Sequence, residues 1–394
     1  MERQEHSSRS HALLAASRAS RWMNCPPSAR LEEKMDESAP SKYAEEGTLA
    51  HELAEVMLRG RFRLLPADDC TKEVRRLKKN PLYSDEMKTY LDVYLDYVTE
   101  QYRVAIQSTP DAVISLEERL DFSRWVEQGF GTGDAIVIAD GVMEVIDLKY
   151  GKGVEVFAER NPQLMLYGLG ALEAFDMLFG IKTVKLTIVQ PRQERIDSWS
   201  ISAEDLYIWG DEEVKPKAAL AYEGKGEMKC GHWCKWCRVK PLCAKMAETN
   251  LELAKDEFKE PQLLSDDRLV EVFTQLPMLK DWAESVAEYL LKQAIAGKEV
   301  PGYKVVEGRT QRKWADEAQV REILSVDHDP SEFMVTKLAG IPAIEKLLKK
   351  DFQPLLGDLV VIPQGSPTLV PLSDKRPAMN GLSQAKAEFS SPEE

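Results

Sequence analysis

Two aspartates and a lysine, Asp134, Asp147 and Lys149, stand close together in the stretch GTGDAIVIADGVMEVIDLKYGKG. Carboxylates are hard oxygen ligands suited to Mg²⁺ or Mn²⁺, and an ammonium group can steady charge that builds on a phosphoryl group. This is the inventory of metal-assisted phosphodiester hydrolysis. Whether the three meet depends on the chain between them. Asp140-Gly141 between two apolar alternations signals a two-residue hairpin turn, and that turn sets the register: Ala139 faces Val142, Ile138 faces Met143, Ile136 faces Val145, and Asp134 faces Asp147. Like charges opposed at about 5 Å are destabilising, and a divalent cation would compensate them. The strand period of two sends Lys149 to the face of Asp147 and turns Leu148 away. Gly131 and Gly133 leave room for a phosphate backbone. The hairpin alone also allows a blander arrangement, in which Asp134 ends a strand and Asp147 with Lys149 forms an exposed pair.

Other elements must bring further groups to this hairpin. A helix is expected from Thr48, with Thr48 as cap and Leu49, Leu53, Val56 and Met57 as its buried stripe. His51 and Glu55 then share another face, and His51 can offer an imidazole to the same ion. A second helix is expected from about Ser84 to Ala105 on the apolar face Met87, Leu91, Tyr94, Leu95 and Val98. Ala112 to Phe122 reads as a strand, and Glu117 within it is a candidate for supporting the ligands from behind. Asn161-Pro162 opens a helix, with Asn as cap and Pro at the first position. Gln163 and Tyr167, four apart, share a face of it that can return to the site and touch a DNA strand. A strand from Thr183 to Gln190 stops at Pro191, and helical sequence returns from Ala203. The basic run KEVRRLKK, residues 72–79, reads as solvated surface.

The chain has 394 residues, 43% hydrophobic and 30% charged, enough for two or three domains with a sizeable core. Its net charge of -14 argues against coating nucleic acid through bulk positive charge, but a local basic track is compatible with it. No run of eighteen apolar residues occurs, and the first ten residues are polar with no apolar segment behind them. A membrane-spanning or secreted protein is therefore not expected. Six cysteines are too few for a disulfide scaffold. Cys25 and Cys70 stand alone, whereas Cys230, Cys234, Cys237 and Cys243 crowd together, which in a chain of intracellular character suggests metal.

The order GTLAHELAE, GTGD, DLK and QLMLY resembles the RecB-type branch of the PD-(D/E)XK nuclease superfamily, whose motifs fall on His51, Gly131 to Asp134, Asp147 to Lys149, and Gln163 to Tyr167. The resemblance implies an α/β, restriction-endonuclease-like core, a mixed sheet flanked by helices. It also implies a Mg²⁺- or Mn²⁺-dependent deoxyribonuclease, an exonuclease on linear DNA. His51, Asp134, Asp147 and the backbone carbonyl of Leu148 would hold metal, Lys149 would assist the attacking water, and Gln163 with Tyr167 would orient the strand. A structure-specific endonuclease and a non-catalytic DNA-binding protein are the alternatives. Cys25 with Cys234, Cys237 and Cys243 is similar to the iron–sulfur staple of AddB-type and CRISPR-associated RecB-like nucleases, which implies a [4Fe-4S] cluster. Cys230 offers a fifth thiol; as fourth ligand in place of Cys25 it would make a compact Zn²⁺ knuckle. Cys70 is left as an ordinary thiol.

More narrowly, SRWMNCPPSARLE, CKWCRVKPLC, VVEGRTQRKWAD and LVPLSDKRPAM resemble the phage-associated family called domain of unknown function 2800, over nearly the whole length. That resemblance implies a phage or prophage protein in the bacterial cytoplasm that works beside a single-strand annealing or binding protein in recombination or replication. It also raises a homo-oligomer, since processive relatives can form rings. The expected division is a nuclease domain over 1–250, a mainly helical accessory region over 251–372 and a disordered tail over 373–394. In the accessory region Arg309, Arg312, Lys313 and Trp314 could grip a DNA backbone and stack on a base, or form an exposed loop whose Trp314 tucks into the core. Asp374, Lys375 and Arg376 resemble a family motif with no mechanism attached.

Overall fold

The computed structural model describes residues 12–35, 41–256, 266–308, 312–334, 338, 340–361 and 367–371. Two compact units divide the chain, Met1–Thr274 and Gln275–Glu394.

In the first unit, short helices α1 (Ala19–Asn24) and α2 (Ser28–Glu33) precede α3 (Lys42–Arg61), α4 (Ala67–Leu77) and α5 (Asp85–Ser108). Strands β1 (Val113–Asp121), β2 (Phe130–Ala139) and β3 (Val142–Leu148) follow. Then come α6 (Pro162–Phe179), β4 (Thr183–Gln190), β5 (Arg195–Ser202), α7 (Ala203–Trp209), α8 (Lys215–Glu223) and α9 (Ala244–Asp256). The five strands make one mixed sheet in chain order. Neighbours are antiparallel except β3 and β4, which run parallel and are joined through α6. Parallel neighbours require such a crossover.

Helices cover both faces of the sheet. On one face Leu53 of α3 and Leu91 and Leu95 of α5 pack with Ala135, Val137, Ile146 and Leu148. On the other, Leu166 and Leu169 of α6 and Leu206 of α7 pack with Ile136, Ile138, Val145 and Leu186. Strand alternation sorts the side chains of β2 and β3 between these two cores.

The β2–β3 register agrees with the turn at Asp140-Gly141, pairing Ala139 with Val142, Ile138 with Met143 and Ile136 with Val145, as far as Ala135 with Ile146. Gly141 takes the left-handed conformation, φ 74°, that the turn demands. Asn161 caps α6, accepting from the Gln163 and Leu164 amides.

Two local expectations need correction. Helix α3 begins a full turn and more before Thr48: Ser41 is its cap, while Thr48 lies inside and its hydroxyl donates to the Ala44 carbonyl. The basic run at 72–79 lies mostly within α4 with its Lys and Arg side chains exposed, as expected of solvated surface, and Leu77 is buried beneath it. Strand β5 was not anticipated. Its inward positions Arg195, Asp197, Trp199 and Ile201 mix charged with apolar side chains, so the alternation is weak in hydrophobicity although regular in burial.

The second unit is described by itself. Helix α10 (Asp266–Ile295) straddles the division; β6 (Tyr303–Glu307) pairs with the later strand Pro367–Pro371, and β7 (Lys313–Trp314) pairs with Val360–Val361. Phe333 and Phe352 lie in a small helical core with Leu324 and Ile344.

Candidate metal centre

Strand β1 adds an acid that the hairpin argument had set behind the ligands. The β1–β2 pairing is continuous except between Leu116↔Ala135 and Glu118↔Gly133, so Glu117 stands opposite Asp134 in the gap. The same register logic carries Asp134 to Asp147 one pair beyond Ala135↔Ile146. Glu117, Asp134 and Asp147 therefore form a single row across three strands.

The pleat slips at this row. Leu116 and Leu120 should share a face, yet they lie in opposite cores. On β2, a Cβ at Gly131 would meet Tyr167 of α6, while Ala135, of the same parity, packs against α3 and α5. Glu117 itself has φ 51°, in the left-handed region, at a cost of roughly 1–2 kcal/mol for an L-residue. Such strain persists where the surroundings over-determine it, and it gathers at functional sites.

Helix α3 supplies His51, whose Nδ1 lies 3.3 Å from Asp134 Oδ1. The candidate ligand atoms of His51, Glu117 and Asp134 all fall within 4.8 Å of one another. The other Asp134 oxygen accepts the Leu148 N–H at 2.7 Å, so Leu148 meets the row through its amide. Asp147 is buried, with Oδ2 2.7 Å from Lys149 Nζ. That oxygen is an ion-pair neighbour but receives no aligned hydrogen bond. Gln163 bridges the remaining groups. Its amide nitrogen donates to Asp147 Oδ1 at 3.3 Å and to the Tyr167 hydroxyl at 3.2 Å, and its carbonyl accepts from Lys149 at 3.2 Å.

These groups perturb one another's protonation. Burial and the neighbouring Asp134 charge push Glu117 up to about 7. Burial also raises Asp147, with Asp134 adding to it against the pull of Lys149. Asp134 is held below its ordinary range, because His51 and Lys149 outweigh the burial penalty. Burial alone would lower His51, but Asp134 reverses this and lifts it to about 9. Lys149 is likewise raised by Asp147 against burial. Three acids thus share a half-buried site with one imidazole and one ammonium, so full ionisation leaves excess negative charge. Oxygen and imidazole donors in that setting fit a hard divalent cation.

The cysteines gather elsewhere in the unit. Cys25, between α1 and α2, lines a small cavity with Cys234, Cys237 and Cys243, and Cys230 lies beside Cys234 and Cys243. Burial pushes Cys234 up to about 12 and Cys237 up to about 11. Among the described residues no three of these sulfurs lie within 4.8 Å of one another. Sequence reading missed the clamp around this cavity. Glu32 accepts from buried Arg21 at 2.8 Å and from the Arg238 amide at 2.8 Å, and the Arg238 guanidinium donates to the Glu32 carbonyl at 2.9 Å. Cys70 sits apart, its thiol against the Val56 carbonyl.

In the second unit Arg312 is engaged with Glu345 through both guanidinium nitrogens. Trp314 packs in a tilted arrangement against buried Phe352, ring centres 6.0 Å apart, and Lys313 is exposed. Arg309, Asp374, Lys375 and Arg376, with the tail over 373–394, lie outside the described residues. No helix among the described residues is long and apolar enough to cross a membrane.

Among solved structures, the chain is similar to the "Crystal structure of SSO0001" at 14% identity, covering 56% of this chain and 94% of that one. The TM-score is 0.20, too low to carry an argument. The profile of the family described as "Protein of unknown function (DUF2800)" matches residues 11–377, and the chain belongs to that family.

Proposed function

We propose that this protein is a divalent-metal-dependent deoxyribonuclease of the RecB-like PD-(D/E)XK type, acting as an exonuclease on linear DNA. The observation that carries the reading is the row Glu117, Asp134 and Asp147, closed by His51 on one side and Lys149 on the other. His51, Asp134 and Glu117 would hold a Mg²⁺ or Mn²⁺ ion, with Asp147 and the Leu148 carbonyl completing the oxygen set. When bound, the ion supplies charge neutralisation at the phosphate and an acidified water. Lys149 stays protonated beside Asp147 and brings a positive charge to where negative charge grows on the phosphoryl oxygens. Gln163 fixes the ammonium and the Asp147 carboxylate together, and the Tyr167 hydroxyl extends that hydrogen-bonded chain along α6.

The cavity lined by Cys25, Cys234, Cys237 and Cys243 brings four thiols to one place, which supports a [4Fe-4S] staple for the same reading. The resemblance to phage-associated proteins extends the reading to recombination or replication beside a single-strand annealing or binding protein.

Anaerobically prepared full-length protein, given end-labelled linear DNA with Mn²⁺, should release labelled nucleotides, and Asp134→Ala should abolish release. Closed circular DNA should survive. Unchanged degradation by Asp134→Ala would remove the assignment, and cutting of the circle would make the enzyme an endonuclease.

A further inference from the structure

The exposed face of α4 carries several basic side chains, and nothing in the site just described uses it. Lys72, Arg75, Arg76 and Lys79 follow the spacing i, i+3, i+4, i+7, which aligns them on one side of a helix. All four are exposed, while Leu77 is buried on the opposite side. The helical path continues past Leu77, since the Lys78 and Lys79 amides still donate back to Val74 and Arg76. Lys72 and Arg76 have local partners in Asp69 and Glu73, exposed pairs of small energetic weight. Arg75 and Lys79 have no ion pair among the described residues.

The stripe ends beside the acidic row. Helix α4 runs back along α3: Cys70 contacts the Val56 carbonyl near the far end of α3, whereas Arg76 feels the charge of Glu52, next to His51. Asn80 to Leu82 line a groove with Glu45, Thr48 and Glu52 of α3. The C-terminal turn of α4 is thus level with the turn of α3 that bears His51, about one helix diameter, ~10 Å, to its side. A chain of net charge -14 repels a polyanion on average, and the acidic row adds a local excess of negative charge. A cationic stripe abreast of that row would offset this repulsion.

We infer that the Lys72, Arg75, Arg76 and Lys79 face of α4 is a track for the sugar–phosphate backbone of a DNA strand, a few nucleotides from the phosphate held at the acidic row. Its contacts are to phosphates, so it carries no base preference. The cations at the end of a helix also complement its dipole, but that local effect needs no aligned stripe and makes no contribution to DNA binding.

This inference rests on the nuclease reading for the identity of the strand, and the experiment separates the two. Binding of a fluorescently labelled DNA oligonucleotide to full-length protein is measured by anisotropy with Ca²⁺ present, from 50 to 200 mM salt. Arg75→Gln/Lys79→Gln should reduce the slope of log affinity against log salt by about 1.8 for duplex, or about 1.4 for single strands. Over that fourfold salt range the wild type should lose about twelvefold more duplex affinity than the variant. A double neutralisation toward the Gly141 end of the sheet, Arg103→Gln/Lys182→Gln, should leave the slope unchanged. Hydrolysis of bis(p-nitrophenyl) phosphate with Mn²⁺, a diester too short to reach α4, should proceed equally in wild type and the α4 variant. Equal slopes for wild type and the α4 variant would overturn the track. Failure of wild type to hydrolyse the small ester would count against the nuclease reading and leave the binding result to judge the track.

Discussion

Replacing Glu117 by glutamine should stabilise the metal-free protein and weaken its response to metal, so that the stability order of variant and wild type reverses when metal is added. Glu117 is lifted from 4.5 to about 7 by burial first and Asp134 second. A carboxyl raised in the folded state binds its proton more tightly there. Its contribution to stability is therefore present in full below pH 4.5 and is lost as pH rises through about 7. The shift corresponds to about 3.4 kcal/mol before screening, and solvent screening of this half-buried group reduces it to about 1–2 kcal/mol. Glutamine keeps the shape and cannot ionise. At pH 8 without metal, Glu117→Gln should be more stable by that amount and melt a few degrees higher. At pH 4.5 or below the two proteins should melt together. Added Mn²⁺ at a hundred times its Kd stabilises the wild type by about 2.7 kcal/mol, and the variant, one ligand short, should gain far less. Thermal melts at the two pH values with and without Mn²⁺ read all of this. A metal-free variant that melts below wild type at pH 8 would refute the electrostatic stress, and equal stabilisation by Mn²⁺ would refute Glu117 as a ligand.

Three further outcomes follow from neighbouring groups. His51 is raised from 6.5 to about 9, so its stabilising pairing with Asp134 is complete below pH 6.5 and lost as pH rises through about 9. Mn²⁺ binding at pH 7.5 should accordingly release about one proton from His51, seen as buffer-dependent heat in calorimetry, and His51→Gln should remove it. Gly131→Ala puts a Cβ 2.6 Å from Tyr167 Cε1; overpacking should cost about 1–3 kcal/mol in denaturant unfolding and depress DNA cleavage more than Mn²⁺ affinity. Asn161→Ala deletes the cap that precedes Gln163 and should cost about 1 kcal/mol in the same unfolding assay.

Much of the site was legible because one turn dictates it. Asp140-Gly141 fixes which residues of β2 and β3 oppose, and Asn161-Pro162 fixes where α6 starts, so Asp134, Asp147, Lys149, Gln163 and Tyr167 could be brought together on paper. Glu117 could not be promoted to the row in that way. Its neighbour relation crosses from β1 to β2, which are joined by a longer connection with no two-residue turn to count from, and its side chain reaches the ligand group where the pleat slips. The left-handed backbone of a glutamate has no local sequence signal. The true start of α3 was hidden for a related reason: Ser41 is a good cap, but the seven residues after it carry no strong apolar stripe, so the periodic signal begins only near Leu49. The fold of the second unit was the least legible, since its strands are short and pair across long separations, Tyr303 with Pro371 and Trp314 with Val360.

The cysteine cavity yields a prediction in which two thiols compete for one role. Arg21, Glu32 and Arg238 help hold the α1–α2 segment, and Cys25 with it, against the chain more than two hundred residues later. If Cys25 is the fourth ligand of the iron–sulfur cluster, the link closes a loop of that length in the unfolded chain, a constraint of about 5 kcal/mol in the chain-entropy account of cross-links. Cys25→Ser should then lose both the brown absorption and several kcal/mol of stability, while Cys230→Ser keeps colour and melting point. If Cys230 were the ligand, the ring closed would span only fourteen residues, and Cys25→Ser would leave the colour intact. The clamp itself supplies a control. Glu32→Gln weakens the pairing of buried Arg21 without touching a thiol, so it should lower the melting point and retain iron. Loss of iron in Glu32→Gln but not in Cys25→Ser would show that the clamp, and not the thiol, holds the cluster.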